Sequence, residues 1–117
     1  MMDIFLVKEM GITFEKVRGG IKSSNGYLIE DIHEQDWCES VYADWSSLDD
    51  TGFYDLSFKE IRIEFVEEVG FRINDFLVNC YNSQNGYYSS YLDLNITSPN
   101  GEILVLNITK YVEDRIN

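Results

Sequence analysis

The first third of the chain contains short runs of alternating hydrophobic and polar residues, a pattern typical of strands in an antiparallel sheet. Residues 11–17 and residues 27–33 both show it, and the polar stretch 18–26 separates them. That stretch ends in Asn25-Gly26, and Asn-Gly tolerates the positive φ angles of tight hairpin turns. The pattern therefore predicts that the two segments pair across this turn.

The C-terminal half predicts further strands. Residues 76–82 and 87–96 flank a second Asn-Gly pair, Asn85-Gly86, and residues 102–109 follow the turn sequence Ser98-Pro99-Asn100-Gly101. Each of these runs is rich in β-branched and aromatic residues. We expect the three runs to form a meander of consecutive antiparallel strands.

Residues 57–70 allow two interpretations. A capping-box pattern at the start, apolar residues at helical spacing and a final Gly70 favour a helix. However, Ile61, Ile63 and Phe65 alternate with charged residues, which is the period of a half-buried strand. We prefer the strand and keep the helix as the alternative.

These patterns together predict a mainly β protein, with α+β as the alternative fold class. We expect a single domain over residues 1–117, because the chain has one proline, Pro99, and no Pro/Gly/Ser-rich linker. A short helix or helical turn is expected near residues 45–50. The predicted architecture is a curved antiparallel sheet with hairpins and one or two short helices.

The composition agrees with a folded protein. The chain has 117 residues, of which 44% are hydrophobic and 15% aromatic, whereas disordered segments are poor in aromatic residues. No apolar run reaches the roughly 18–20 residues of a membrane-spanning helix, and the N-terminus lacks the basic start of a signal peptide. We therefore expect a soluble, cytoplasmic protein.

The charge is strongly negative and unevenly distributed. Nine Lys and Arg against 21 Asp and Glu give a net charge of −12, which argues against direct binding to nucleic acid or to an anionic membrane. Residues 23–58 contain no Lys or Arg at all, yet they hold nine acidic residues. The charge therefore predicts a basic protein as the partner.

Two interpretations of the acidic stretch stay open. Its carboxylates can be scattered over the surface and serve only solubility. Alternatively, they form a patch that meets the Lys and Arg side chains with which a partner normally binds phosphates, while aromatic residues anchor the contact. The residues predicted to contact the partner are Glu30, Asp31, Glu34, Asp36, Trp37, Glu39, Asp44, Trp45, Asp49 and Asp50.

Two short motifs resemble those of a known family. The first is His33-Glu34-Gln35-Asp36-Trp37-Cys38-Glu39, which resembles the family motif His-x-Gln-Asp-Cys-Cys-Glu. The second is Asn85-Gly86-Tyr87-Tyr88-Ser89, and the resemblance extends over residues 11–97. The family consists mostly of phage and prophage proteins and is classed as a domain of unknown function. The resemblance implies a phage-type protein in a bacterial host cell and brings no biochemical activity with it.

The same first motif contains the one constellation that suggests chemistry. His33, Asp36, Cys38 and Glu39 include ligand types for a transition metal, although their spacing matches no known zinc site. Trp37 replaces the first cysteine of the family pair, so a role that needs two thiols there is in doubt. We expect a free, buried Cys80 and no disulfide, no cofactor and no metal.

The function that these observations favour is not enzymatic. We expect a small acidic phage-type protein that binds and inhibits a nucleic-acid-processing bacterial defence enzyme, as an anti-CRISPR or anti-restriction protein that mimics nucleic acid. The alternative is a ligand- or metal-binding accessory domain that uses residues 33–39.

Overall fold

The computed structural model describes residues 3–33, 41–82 and 91–114, and in these residues it shows eleven strands and three short 3₁₀ helices. The strands form two sheets. The first sheet contains β1 (Asp3–Ile12), β5 (Val41–Asp44), β6 (Phe58–Val66), β7 (Gly70–Ile73), β8 (Phe76–Asn82) and β11 (Glu113–Asp114). The second sheet contains β2 (Phe14–Val17), β3 (Gly20–Ser23), β4 (Leu28–His33), β9 (Leu92–Thr97) and β10 (Ile103–Asn107).

The first sheet runs in the order β1-β6-β7-β8, with antiparallel neighbours. Two more strands flank the C-terminal half of β8. Tyr81 of β8 is in register with Tyr42 of β5, which is antiparallel, and with Glu113 of β11, which is parallel. A strand residue has one neighbour on each side, so β5 and β11 lie on opposite sides of β8.

The second sheet is antiparallel throughout and runs in the order β10-β9-β4-β3-β2. Among the described residues, its open edges are therefore β2 and β10. One face of the sheet is apolar, because Ile29 of β4 and Leu94 and Ile96 of β9 are buried. Glu30 and Ile32 alternate with these residues and point to the opposite, outer face.

The two inner faces share one hydrophobic core. From the first sheet, Ile61, Ile63 and Phe65 of β6 are almost fully buried, and they alternate with the half-buried Arg62 and Glu64. The buried residues of both sheets belong to one packed cluster. Burial of these apolar faces, at roughly 25 cal/mol per Å², is the main stabilising term of the fold.

An aromatic cluster closes one end of this core. Phe53 lies at its centre, with ring centroids 4.9 Å from Phe14, 5.4 Å from Phe58 and 5.3 Å from Phe76. These contacts join β2, β6 and β8 through the second 3₁₀ helix, Phe53–Asp55. The other 3₁₀ helices are Trp45–Leu48 and Thr109–Tyr111.

The mainly β fold class is confirmed, and so is the strand interpretation of the ambiguous segment, which forms β6. The helical turn expected near residues 45–50 is the 3₁₀ helix Trp45–Leu48. The strands, however, divide between two sheets rather than forming one curved sheet. The hydrophobic core explains why there are two sheets. Each sheet has one apolar face, and the two sheets bury these faces against each other.

Two predicted strand pairings are wrong. The stretch 18–26 is not a single turn: it contains β3, which lies between β2 and β4 and pairs with both. The runs 76–82 and 87–96 do not continue one meander, because β8 belongs to the first sheet and β9 to the second. The hairpin after Ser98 is confirmed as β9 and β10, whereas Asn85-Gly86 lies outside the described residues.

Gly20 is required by the close approach of β3 to β4. A Cβ atom at this position would lie 2.0 Å from the carbonyl oxygen of Ile29, which is part of the sheet backbone and cannot move aside. We therefore expect Gly20→Ala to lower the free energy of unfolding by at least about 3 kcal/mol, measured by urea denaturation.

Gly11→Ala is the matched control. Its added Cβ would meet nothing within 4 Å, although the positive φ of +77° disfavours any side chain. We expect it to lose only about 1–2 kcal/mol. Equal losses in the two variants would contradict the steric explanation for Gly20.

Candidate partner-binding surface

Asp31 is half-buried and has a structural role. It shares the inner face of β4 with Ile29 and accepts two hydrogen bonds, from the backbone N of Ala43 at 3.1 Å and from Nε1 of Trp45 at 2.8 Å. Both donors would otherwise be left unpaired near the core. The prediction that Asp31 contacts a partner stays a prediction, but these two bonds give its carboxylate a role inside the fold.

Trp45 is also an internal residue. Its side chain is 7% exposed, and its ring packs edge-on against Phe71 with 5.5 Å between centroids. A ring that fills the core is not available as an anchor for a partner. The prediction of Trp45 as a contact residue is wrong, and its role is to fix the 3₁₀ helix Trp45–Leu48 onto the first sheet.

Asp44 caps this 3₁₀ helix. Its carboxylate accepts hydrogen bonds from the backbone N of Ser46, at 3.2 Å, and from the Ser46 hydroxyl. The next residue, Ser47, donates to the carbonyl oxygen of Asp44 at 2.6 Å and accepts from the backbone N of Asn79 in β8 at 3.2 Å. The start of the segment is thereby bonded to the sheet beneath it.

The acidic segment, which we define as residues 44–55, continues across the surface from this cap. Its apolar residues Leu48 and Phe53 are fully buried. Between them, the Thr51 hydroxyl donates to the carbonyl oxygen of Leu48 at 2.6 Å and accepts from the backbone N of Phe53 at 3.2 Å. Both ends of the intervening turn are therefore held, and the exposed Asp50 lies in it.

The predicted contact residues Asp49 and Asp50 are exposed, and a partner can therefore reach them. Asp55 is exposed as well. Asp49 forms a salt bridge of 2.9 Å with Lys16 of β2, and the two side chains are 41% and 51% exposed. This hydrogen bond raises the pKa of Lys16, which stays charged. Water screens such an exposed pair, so it does not commit Asp49 to an internal role.

Glu30 does not belong to this surface. It points to the outer face of the second sheet, whereas Lys16 shares the inner side of β2 with the buried Phe14 and holds the acidic segment there. The carboxylates therefore do not form one continuous patch with Glu30, contrary to expectation. The predicted contact residues Glu34, Asp36, Trp37 and Glu39 lie outside the described residues.

Most other ion pairs lie on the first sheet. Arg62 contacts Glu60 at 3.2 Å and Asp75 at 2.6 Å, and Arg72 contacts Glu64 at 2.7 Å. These three acids are thus neutralised by neighbouring arginines. Within the described residues, the acidic segment has a salt bridge only to Lys16, so its negative charge is largely uncompensated.

Of the four possible metal ligands in residues 33–39, the structure describes only His33. His33 ends β4 half-buried and in register with Leu92, while Asp36, Cys38 and Glu39 lie outside the described residues. In the part of the chain that the structure describes, no group of three or more His, Cys, Asp or Glu could hold a metal ion. Among the described residues, no helix is long and apolar enough to cross a membrane.

Comparisons with protein-family models, with curated proteins and with solved structures found no match. The resemblance to the phage and prophage family therefore stays a prediction that rests on the two motifs.

Sequence reasoning missed two parts of the surface. Lys16 was not predicted as the partner of Asp49, because the two residues lie 33 positions apart and meet only when the second sheet forms. Asp55 was not among the predicted contacts, although it ends the acidic segment and is exposed. The absence of basic residues over 23–58 was the available signal for Asp55.

The Asp31 carboxylate gives a prediction about stability. Asp31→Ala removes the acceptor of two hydrogen bonds and leaves the N–H groups of Ala43 and Trp45 unpaired. We expect the free energy of unfolding to fall by about 2–4 kcal/mol in urea denaturation. Asp55→Ala, at an exposed position without a positive φ, is the control and should change it by less than about 0.5 kcal/mol. An Asp31→Ala loss as small as that of the control would show that the two bonds contribute nothing.

Cys80 gives a prediction about pH. Burial raises the pKa of its thiol well above the ordinary value of 9.0, and nearby Asp31 and Asp44 raise it further. The folded protein therefore keeps the thiol neutral while the unfolded chain ionises, so stability falls as the pH rises above 9.0. Below that pH the contribution is fully present.

A comparison with Cys80→Ala isolates this effect. With Cys38→Ser in both proteins to prevent disulfide formation, we expect the stability advantage of the protein that keeps Cys80 to shrink between about pH 8 and about pH 10.5. Tyr54, whose pKa is also raised by burial, is present in both proteins and cancels. A constant difference across this range would contradict an internal, neutral thiol.

Proposed function

We propose that the protein is a non-enzymatic binding protein whose acidic segment docks on the cationic surface of a nucleic-acid-binding partner. The observation that carries the proposal is the exposure of Asp49, Asp50 and Asp55 on a segment held to the core by Leu48 and Phe53. This segment lies within a stretch of 36 residues, 23–58, that has no Lys or Arg.

Rigidity is what separates this surface from a merely solubilising one. Solubility requires charge but no fixed geometry. Here the hydrogen bonds of Asp44, Ser47 and Thr51 hold the backbone that bears the carboxylates. A surface that is ordered before binding loses little conformational entropy on binding, so charge pairs contribute more of their energy to affinity.

The proposed target follows from the chemistry of the recognising groups. Lys and Arg side chains that bind phosphate also bind carboxylate, through charge-assisted hydrogen bonds. A protein with a net charge of −12 is repelled by nucleic acid and attracted to the sites that nucleic acid occupies. With the phage-type motifs, this supports an anti-CRISPR or anti-restriction inhibitor that acts in the bacterial cytoplasm.

The contact residues of the proposal differ from those expected from sequence. Trp45 is buried, Asp31 already accepts two hydrogen bonds within the fold, and Glu30 faces elsewhere. We therefore propose Asp49, Asp50 and Asp55 as the contacts in the described part of the chain. The residues Glu34, Asp36, Trp37 and Glu39 stay predicted contacts.

The test is capture followed by competition. The tagged protein is incubated with nuclease-treated bacterial lysate, and bound proteins are identified and purified. We expect at least one to be a nucleic-acid-binding enzyme whose binding to its own DNA or RNA is competitively inhibited by this protein. We also expect the interaction to weaken as the salt concentration rises.

Charge-neutralising variants then locate the surface. In the triple variant Asp49→Asn, Asp50→Asn and Asp55→Asn, we expect about tenfold to hundredfold weaker binding, from roughly 0.5–1 kcal/mol per lost pair. Asn is chosen because Asp50 has a φ of +60°, which Asn also tolerates.

A second triple variant, Asp3→Asn, Glu15→Gln and Glu67→Gln, is the matched control. It removes the same charge from exposed positions outside the acidic segment. Equal weakening in the two variants would show that only total charge matters, and capture of partners that nucleic acid does not displace would refute the proposed target.

A further inference from the structure

Strand β10 presents an open and hydrophobic edge. It pairs with β9 on one side, and no described residue pairs with it on the other. Ile103 is 60% exposed, Leu104 44% and Val105 55%. Apolar strand edges of this kind are templates for pairing with another strand, and proteins normally protect them.

The hydrogen-bond pattern shows which backbone groups of β10 are available. Two backbone hydrogen bonds mark the ends of the β9–β10 ladder. Ser98 N donates to the carbonyl oxygen of Glu102 at 2.8 Å, and Ile108 N donates to the carbonyl oxygen of Leu92 at 2.8 Å. The even-numbered residues between them therefore bond to β9. The N–H and C=O groups of Ile103, Val105 and Asn107 consequently point away from the sheet.

The other open edges carry protective features that β10 lacks. β1 has two register shifts, between Phe5 and Val7 and between Lys8 and Ile12. β2 carries Glu15 and Lys16 within four residues. On β5, the outward N–H of Ala43 is bonded by Asp31. β10 is regular and contains no charged residue.

We propose that β10 pairs antiparallel with β10 of a second copy of this chain, with the two-fold axis at Val105. The outward groups of Ile103 then bond to those of Asn107 in the other copy, and the two Val105 residues bond to each other. The result is one continuous sheet of ten strands across the dimer. This inference does not depend on the proposed function.

Charge complementarity at the strand ends favours a second copy over an unrelated strand. The exposed Glu102 precedes β10, and the exposed Lys110 follows it by three residues. In this register each Glu102 lies opposite Ile108 of the other copy, two residues before Lys110, so the negative end of each strand approaches the positive end of the other. Each chain carries a net charge of −12, but β10 contains no charged residue, so pairing of the two strands does not place like charges opposite each other.

Two grooves flank the open edge. One, of about 320 Å³, is lined by Ile103 and Leu104 together with Leu6 and Tyr27. The other, of about 330 Å³, lies between Val105 and the rings of Phe65 and Tyr111. A strand laid along β10 covers both and adds apolar burial to its backbone hydrogen bonds.

The dimer has a distinctive salt dependence. Added salt screens the repulsion between two chains of charge −12, and this gain exceeds the loss from screening the Glu102 and Lys110 ends, while the apolar strand contact is not weakened. We therefore expect dimerisation to strengthen with salt, opposite to the response expected for the acidic segment and its basic partner. Failure of one proposal is thereby distinguishable from failure of the other.

Sedimentation velocity over a concentration series, at low and at high salt, is the test. We expect a monomer–dimer equilibrium that shifts towards the dimer at high salt. Val105→Lys places two ammonium groups beside the two-fold axis, so the dissociation constant should rise at least about tenfold. Phe5→Lys, an equally exposed apolar position on β1, is the control and should leave dimerisation unchanged.

A mixing experiment tests the register. Val105→Glu alone should also be monomeric, but an equimolar mixture with Val105→Lys should restore the dimer, because opposite charges then face each other. Circular dichroism confirms that each variant is folded. A wild-type monomer at all concentrations, a dimer insensitive to Val105→Lys, or no restoration on mixing would each overturn the proposal.

Discussion

The position of β5 over the second sheet depends on the hydrogen bonds of one carboxylate. Asp31 lies on β4 of the second sheet, and its two acceptor oxygens bind Ala43 of β5 and the indole of Trp45, both of which belong to the first sheet and its adjoining helix. Apolar contacts between sheets are non-directional, whereas these bonds fix where β5 lies over β4. The acidic segment begins at the next residue along from Ala43, so its position depends on the same carboxylate.

The excess negative charge is therefore divided between structural and exposed carboxylates. Asp31 and Asp44 are used as hydrogen-bond acceptors within the fold, and Glu60, Glu64 and Asp75 are paired with arginines. What remains for the proposed contact with a partner is a smaller set of acids than the sequence suggests. It is also a better ordered one, because the structural acids hold the backbone from which the exposed ones project.

Sequence predicts the local features of this fold better than its pairings. Alternation identified the strand that contains Ile61, Ile63 and Phe65, because burial on one face enforces period two whatever the partner strand. It did not reveal that β8 and β9 lie in different sheets, since both sheets bury one face and give the same pattern. Likewise, composition identified an acidic region. It did not reveal the structural role of Asp31, because the indole N–H that binds this carboxylate belongs to Trp45, 14 residues away, and approaches it only in the folded chain.

The positions of the two proposed contact regions bear on how they would act together. The acidic segment lies beside β2, through the Lys16–Asp49 pair, and β2 is at the opposite edge of the second sheet from β10. Pairing through β10 would therefore leave both acidic segments free and place them at the two ends of a ten-stranded sheet. Nine intervals of about 4.8 Å separate the outermost strands by roughly 43 Å. If the partner or its assembly presents two cationic sites, a dimer of this geometry can contact both. The second contact then forms at a high effective concentration and raises the overall affinity without any new type of interaction.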